Sequence, residues 1–301
     1  NTFNSTSIVL SDYGLSSFAY DINFAAAKIA KETAEKYSLL NPNKPRFVAG
    51  SIGPTSKTLS IATDVDNTAF REIDFNNLSL DYKHQINALV DGGVDLLLIE
   101  TIFDTLNAKA AIYAAKNVFA AKKIDLPILL SVTLSGKGGR TLSGQSIDAF
   151  ITSVKHANAL AIGFNCSFGA AEMMPFVEDL ANKSSDFLII YPNAGLPDGS
   201  GCYTQSPDEM NSYIKSFLEK SIVNIIGGCC GTTPEHIRKI SEALNDFNPF
   251  TPKLPNTDTK LSGLEVLDIK KQNNFILIGE RTNVAGSKRF ARLIKEKKYD
   301  G

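Results

Sequence analysis

The feature that most constrains this chain is a short apolar run that returns six times. Arg46–Pro54 (RFVAGSIGP), Asp95–Thr101 (DLLLIET), Pro127–Thr133 (PILLSVT), Ala159–Cys166 (ALAIGFNC), Phe187–Asn193 (FLIIYPN) and Ile222–Cys229 (IVNIIGGC) are nearly continuous in apolar residues. Runs of this kind suit strands covered on both faces rather than strands with one wet side. Segments of helical period lie between them, among them 104–121, 146–157, 170–182 and 207–220. Strands alternating with helices make βαβ units and therefore a parallel sheet. A closed barrel and a doubly wound sheet both satisfy that pattern. No run leads into GxGxxG, and polar residues recur at the C-terminal ends of the runs. Both points favour an α/β chain folded as a (β/α)8 TIM-type barrel.

The strand count falls short of a full barrel, and the ends of the chain account for it. NTFNSTSIVLSDYGLSS reads as the tail of a strand and a loop before a helix around 18–37, so the barrel is expected to be truncated at its N-terminus. Beyond a helix at 234–245, FNPFTPKLPNTDTKLSG sets Pro249, Pro252 and Pro255 among polar residues, which is linker composition. FILIGERTNVAGSKRFARLIKEKK then reads as a new strand, a loop and a basic helix.

Composition removes several functions. With 31 basic and 32 acidic residues the net charge is −1, and no basic stripe offers nucleic acid an electrostatic footprint. No apolar run approaches the roughly 18 residues of a membrane span, and no signal peptide is evident. Four cysteines in 301 residues do not make a secreted disulfide scaffold. A reducing cytoplasm is the expected compartment, where clustered thiols point to metal or catalysis.

Chemistry in a barrel gathers at the C-terminal ends of the strands. Those ends are Gly53, Glu100–Thr101, Thr133, Asn165–Cys166, Asn193–Gly195 and Cys229–Cys230. Three of the four cysteines thus share one rim. Adjacent cysteines rarely bridge each other, because a disulfide needs Cα atoms at least about 4.4 Å apart and neighbours sit at about 3.8 Å. Three thiolates can instead hold one zinc ion at about 2.3 Å each. Neighbouring side chains of a regular strand point to opposite faces, so Cys229 and Cys230 need a bent strand end. Gly227, Gly228 and Gly231 are expected to supply that freedom. The competing reading is that the cysteines are small buried hydrophobes. Cys202, in DGSGCYTQSPDE, belongs to no strand end.

Other candidates are read more simply. A carboxylate at Glu100, ending a buried strand, needs a cation or donors, or else pins a loop. Asn193 in PNAG either donates to a substrate or stabilises the turn. SGKGGRTLSGQS lacks P-loop spacing and reads as a strand-end loop, with Ser143 or Ser146 capping the next helix. His84, His156 and His236 fall in helical segments with no H-E-x-x-H pattern, which suits exposed or capping roles. KRFARLIKEKK reads as a solvated basic face.

NIIGGCCGTTPEHI, GFNCSFG, YPNAGLPD, DLLLIETIFDTLNAKAA and SGKGGRTLSGQS together resemble the homocysteine-binding domain of cobalamin-dependent methionine synthases over residues 1–246. ILIGERTNVAGSKRFARLIKE is similar to the start of the pterin-binding domain that follows it there, the first strand and helix of a second barrel. The resemblance implies a zinc barrel at 1–247, a linker at 248–270 and an incomplete pterin domain at 271–301. It implies that Cys166, Cys229 and Cys230 bind zinc and leave a fourth position for the homocysteine sulfur. Glu100 would hold the substrate ammonium, Asn193 would stand at the substrate, and Asn283 would belong to a folate site. Methylcobalamin and 5-methyltetrahydrofolate would be carried by other domains of a longer chain. An Asp that the family draws from its first strand is not in this sequence. The tail separates this branch from homocysteine methyltransferases that use betaine or S-methylmethionine, which remain the alternative together with a non-catalytic thiol-rich barrel.

Overall fold

The computed structural model describes residues 2–255, 257–270, 272, 275–276 and 284–298. In chain order these form α1 (Ser7–Ser11), α2 (Ala19–Leu40), β1 (Ala49–Ile52), α3 (Phe75–Asp91), β2 (Leu96–Ile102), α4 (Thr105–Lys122), β3 (Ile128–Val132) and α5 (Ile147–Val154). There follow β4 (Ala161–Gly169), α6 (Ala170–Lys183), β5 (Phe187–Asn193), α7 (Pro207–Glu219), β6 (Ile225–Ile226), α8 (Pro234–Ala243), β7 (Thr259–Ser262), β8 (Val266–Ile269) and α9 (Lys288–Lys295). The first six strands make one sheet in sequence order, every neighbouring pair parallel, with helices between them. This is the wall of a TIM-type barrel, with β1 and β6 as its edges among the described residues. Thr2 and Phe3 lie beside β1, where the Thr2 hydroxyl donates to Ser51 O at 2.8 Å and Gly53 N–H to Phe3 O at 3.0 Å.

The period of two along each strand sorts side chains into two cores. Ile52, Leu97, Ile99, Ile128, Leu130, Ile162, Phe164, Leu188 and Ile190 face outward into the helices and are buried. Each contributes about 2 kcal/mol of apolar burial. The inner face has a small apolar floor of Leu98, Leu129, Ala161 and Ile189, with Leu96, Tyr191 and Ile225 against it. Above that floor the inward positions turn polar, with Ser51, Glu100, Ser131 and Asn165. Apolar below and polar above sets the chemistry at the upper rim.

Local sequence explains where the helices start. Asp104 accepts Leu106 N–H at 2.9 Å at the head of α4, and Ser206 accepts Glu209 N–H at 3.2 Å before Pro207 opens α7. Ser146 caps α5 by accepting Ala149 N–H at 3.3 Å. His236 is buried, its Nδ1 meeting Thr233 N–H at 3.1 Å in a capping box and its Nε2 meeting Gln205 O at 3.0 Å.

The segment expected to be a linker is more ordered than its prolines suggest. Phe250 is buried, with its N–H on Val223 O at 3.0 Å, and Lys253 N–H reaches Ser184 O at 3.3 Å. β7 and β8 then pair antiparallel and lie on α5. Ser262 Oγ donates to Ala149 O at 2.8 Å, and Ser146 N–H donates to Leu264 O at 3.0 Å. Gln145 Nε2 donates to Gly263 O at 2.8 Å, and Arg140 pairs with Glu265. The alternation in TKLSGLEVLDI around Gly263 was the available hairpin signal. The helix expected in the tail is α9. The strand expected after Phe275 falls largely outside the described residues, as does Asn283.

Candidate metal centre

Two bulges shape the rim. Asn165 and Gly169 of β4 pair with Tyr191 and Asn193 of β5, so four steps of one strand oppose two of the other. Ile99 and Ile102 of β2 pair with Leu130 and Val132 of β3, three steps against two. Bulges of this kind re-aim side chains at a sheet's end. Here they carry left-handed residues other than glycine, with φ 56° at Thr101, 62° at Cys166 and 60° at Ser167. Such backbone persists only where its surroundings hold it.

Asn165 does the holding. Buried at 1% exposure, its Oδ1 accepts Thr101 N–H at 2.9 Å and the Ser131 hydroxyl at 2.7 Å. Its Nδ2 donates to Thr101 Oγ1 at 2.7 Å and faces Cys229 Sγ at 3.9 Å. One amide thus ties β2, β3 and β4 together beneath the sulfurs. The sequence places Asn165 at the rim without assigning it a role, although a polar residue inside the apolar run ALAIGFNC was the signal.

The other two cysteines lie beyond β6, clamped to the end of β5. Cys229 N–H donates to Pro192 O at 2.8 Å, Cys230 N–H to Asn193 Oδ1 at 3.1 Å, and Ala194 N–H to Cys230 O at 2.9 Å. Asn193 is buried, and its Oδ1 fastens the Cys230 backbone beside the sulfurs. The glycines divide their work differently from the expectation. Gly231 alone of the three has a positive φ, +78°. Gly227 and Gly228 are needed for space, since a Cβ would fall 2.8 Å from the Tyr191 ring and 2.2 Å from the Thr232 side chain.

The result is a compact trio. Cys166 Sγ lies 3.8 Å from Cys230 Sγ, which lies 4.0 Å from Cys229 Sγ, and all three are within 4.8 Å of one another. Tetrahedral Zn–S bonds of about 2.3 Å require sulfurs about 3.8 Å apart. The residues fit the ion. Hydrogen bonds converge on one sulfur: the Cys229 thiol, with Ser167 N–H, Cys230 and Asn193, holds the Cys166 pKa down to about 5 despite burial. Cys229 is pushed up, chiefly by donating to Cys166, and Cys230 is pushed up by burial and then by the Cys166 charge. A divalent cation favours the thiolate form of all three. The fourth cysteine, Cys202, is exposed.

Glu100 sits in the β2 bulge and accepts the Ser51 hydroxyl. Burial raises its pKa, the Ser51 hydrogen bond opposes the rise, and the nearby Cys166 charge adds to it. Tyr191, on the inner face of β5, is pushed up to about 12 by burial and then by Glu100. The structure therefore brings Glu100, Asn193 and the three cysteines to one rim.

A six-stranded parallel barrel wall with three thiols converging at its C-terminal rim defines a barrel whose cysteine cluster is able to hold a metal ion. The chain belongs to the homocysteine S-methyltransferase family, whose model matches residues 1–244. Among solved structures it is similar to the homocysteine methyltransferase MmuM from Escherichia coli. The oxidized form is 20% identical over 80% of this chain and 77% of that chain, with a TM-score of 0.63. The metallated form is 21% identical over the same shares, with a TM-score of 0.62. At this identity the likeness speaks for the fold. No helix among the described residues is long and apolar enough to cross a membrane.

Proposed function

We propose that this chain is the homocysteine-activating module of a cobalamin-dependent methionine synthase, preparing homocysteine for S-methylation to methionine. The observation that carries the reading is the sulfur trio at the spacing of a tetrahedral site. Cys166, Cys229 and Cys230 would hold zinc, which when bound supplies a Lewis acid that keeps the substrate sulfur deprotonated at neutral pH. The metal-ligand group contains no fourth His, Cys, Asp or Glu among the described residues. Three protein ligands with an open position suit catalysis, whereas a structural site closes with four.

Residues of this chain divide the remaining work. Glu100, its Oε1 already fixed by the Ser51 hydroxyl, holds the substrate ammonium and so turns the amino acid end away from the sulfurs. Asn193 fixes the Cys230 backbone, and Asn165 fixes the bulges that present Cys166 and Glu100. Residues 1–247 form the zinc barrel, with the pterin module opening after residue 271. Methylcobalamin and 5-methyltetrahydrofolate belong to other domains, with Asn283 at the folate side. The family match accommodates a second reading equally, in which the methyl donor is a small onium compound such as betaine or S-methylmethionine.

X-ray absorption of the zinc-loaded protein tests the shared core of both readings. Homocysteine should add one sulfur neighbour to about three already present. An unchanged sulfur count would refute the open position. Turnover with methylcobalamin against the onium donors then decides between the two.

A further inference from the structure

The hairpin of β7 and β8 does not close flush on the barrel. Between its tip, the 143–145 loop, α5 and the first turn of α4 lies a cavity of about 450 Å³. Small-molecule sites usually span about 300–1,000 Å³. The cavity shares no lining residue with the thiol trio or with Glu100. Its walls come from stretches far apart in sequence, and the hydrogen bonds of Gln145 and Ser146 to the hairpin tip hold them together.

The lining divides by chemistry. Lys109 is its one cation, half-buried and without an ion pair or hydrogen bond among the described residues. The nearby Asp104 carboxylate is already taken by the Ser60 N–H and hydroxyl and by Leu106 N–H. Other lining groups are acceptors. Ser153 Oγ gives its proton to Ser262 Oγ at 2.8 Å, and Ser262 Oγ gives its own to Ala149 O at 2.8 Å. Gln145 spends Nε2 on Gly263 O at 2.8 Å and Ser153 Oγ at 3.4 Å, and its Oε1 is buried with no partner. Thr105, 5% exposed, also leaves its Oγ1 without a partner. Buried polar atoms are nearly always hydrogen-bonded, so two orphans lining one cavity point to a ligand there. Leu106 and Leu264 add apolar surface to the lining, 38% and 60% exposed.

We propose that this cavity is a binding site for a free α-amino acid with an unbranched apolar side chain. Lys109 takes the carboxylate, the acceptors of Gln145, Ser153 and Ser262 take the ammonium, and Leu106 and Leu264 flank the side chain. A simple anion would pair with Lys109 and leave the acceptors unanswered. A simple amine would meet the acceptors and stand against the lysine as a like charge. A zwitterion answers both, and the two leucines select an apolar one. Because the hairpin supplies Ser262 and Leu264, an occupied cavity also fastens the hairpin to the barrel.

Norleucine is the probe, because it carries no sulfur to meet a metal at the rim. The full chain is titrated with it by saturation-transfer NMR, and hydrogen exchange is recorded with and without it. The parent should bind norleucine with a Kd on the order of 1 mM or tighter. Exchange should slow in the 143–146 loop and in β7 and β8. Lys109→Met loses the charge-assisted partner and should bind about tenfold more weakly, whereas Lys109→Arg stays within about threefold of the parent. Pentylamine, the decarboxylated counterpart, should bind the parent about tenfold more weakly than norleucine does. No binding by the parent up to about 10 mM would overturn the proposal. So would equal affinity in Lys109→Met, or protection confined to the thiol rim.

Discussion

Replacing Asn165 by alanine asks how much of the rim depends on one amide. The substitution removes the acceptor for Thr101 N–H at 2.9 Å and for the Ser131 hydroxyl at 2.7 Å. Ser131 is 0% exposed, so its hydroxyl has no solvent to turn to. Each buried donor left unpaired costs about 1–3 kcal/mol, and two make about 4 kcal/mol. At roughly 2 °C per kcal/mol for a chain of this size, the melting midpoint should fall by about 8 °C. Calorimetry of the metal-free parent and variant measures it. A fall of less than about 2 °C would refute the idea that Asn165 holds the bulges. The double variant Asn165→Ala/Ser131→Ala sharpens the result. Removing the orphaned hydroxyl should recover about 1–2 kcal/mol relative to Asn165→Ala alone, whereas additive losses would show that the two side chains act independently.

Four further outcomes follow from the same geometry. Cys166→Ala, Cys229→Ala and Cys230→Ala should each lose zinc by metal analysis, while Cys202→Ala keeps it, and full zinc in any of the first three would break the assignment. Burial raises the Glu100 pKa above 4.5, so the folded state holds that proton more tightly than the unfolded chain. Stability from Glu100 is then present below pH 4.5 and lost as pH rises through the folded value, so Glu100→Gln should raise the melting temperature at neutral pH and change it little near pH 4. The same variant should weaken homocysteine binding in calorimetric titration with zinc retained, and unchanged affinity would make Glu100 structural. Truncation after residue 271 should leave melting and zinc content intact, while truncation after residue 255, which strips β7 and β8, should speed hydrogen exchange in α5 and the 135–146 loop.

The strands were legible because burial on both faces leaves little but apolar residues, and each of the six runs overlaps a strand of the sheet. The cysteines were legible because thiols at strand ends are chemically conspicuous. Local backbone was not. Nothing in FNCSFG announces that Cys166 and Ser167 take left-handed φ, since that conformation goes with a register shift against β5, and the partners that anchor the neighbouring Asn165, Thr101 and Ser131, lie on other strands. Asn193 was legible as a polar residue at the rim, but its bond to the Cys230 backbone was not, because sequence does not say which neighbour consumes its hydrogen bonds. The hairpin of β7 and β8 was masked by three prolines that set the tone of the segment before it.

That hairpin has a consequence for the order in which the molecule assembles. Its contacts join residues far apart along the chain, 113 positions from Ser262 to Ala149 and 125 from Glu265 to Arg140. The parallel strands instead join units that follow one another closely. On a ribosome, which releases about 5–20 residues each second, β1 to β6 emerge and can pair well before residue 259 leaves the tunnel. The antiparallel pair then arrives on a preformed surface and secures α5 and the loop behind β3 last. A protein built in that sequence leaves α5 and the loop behind β3 unfastened until the strap is laid.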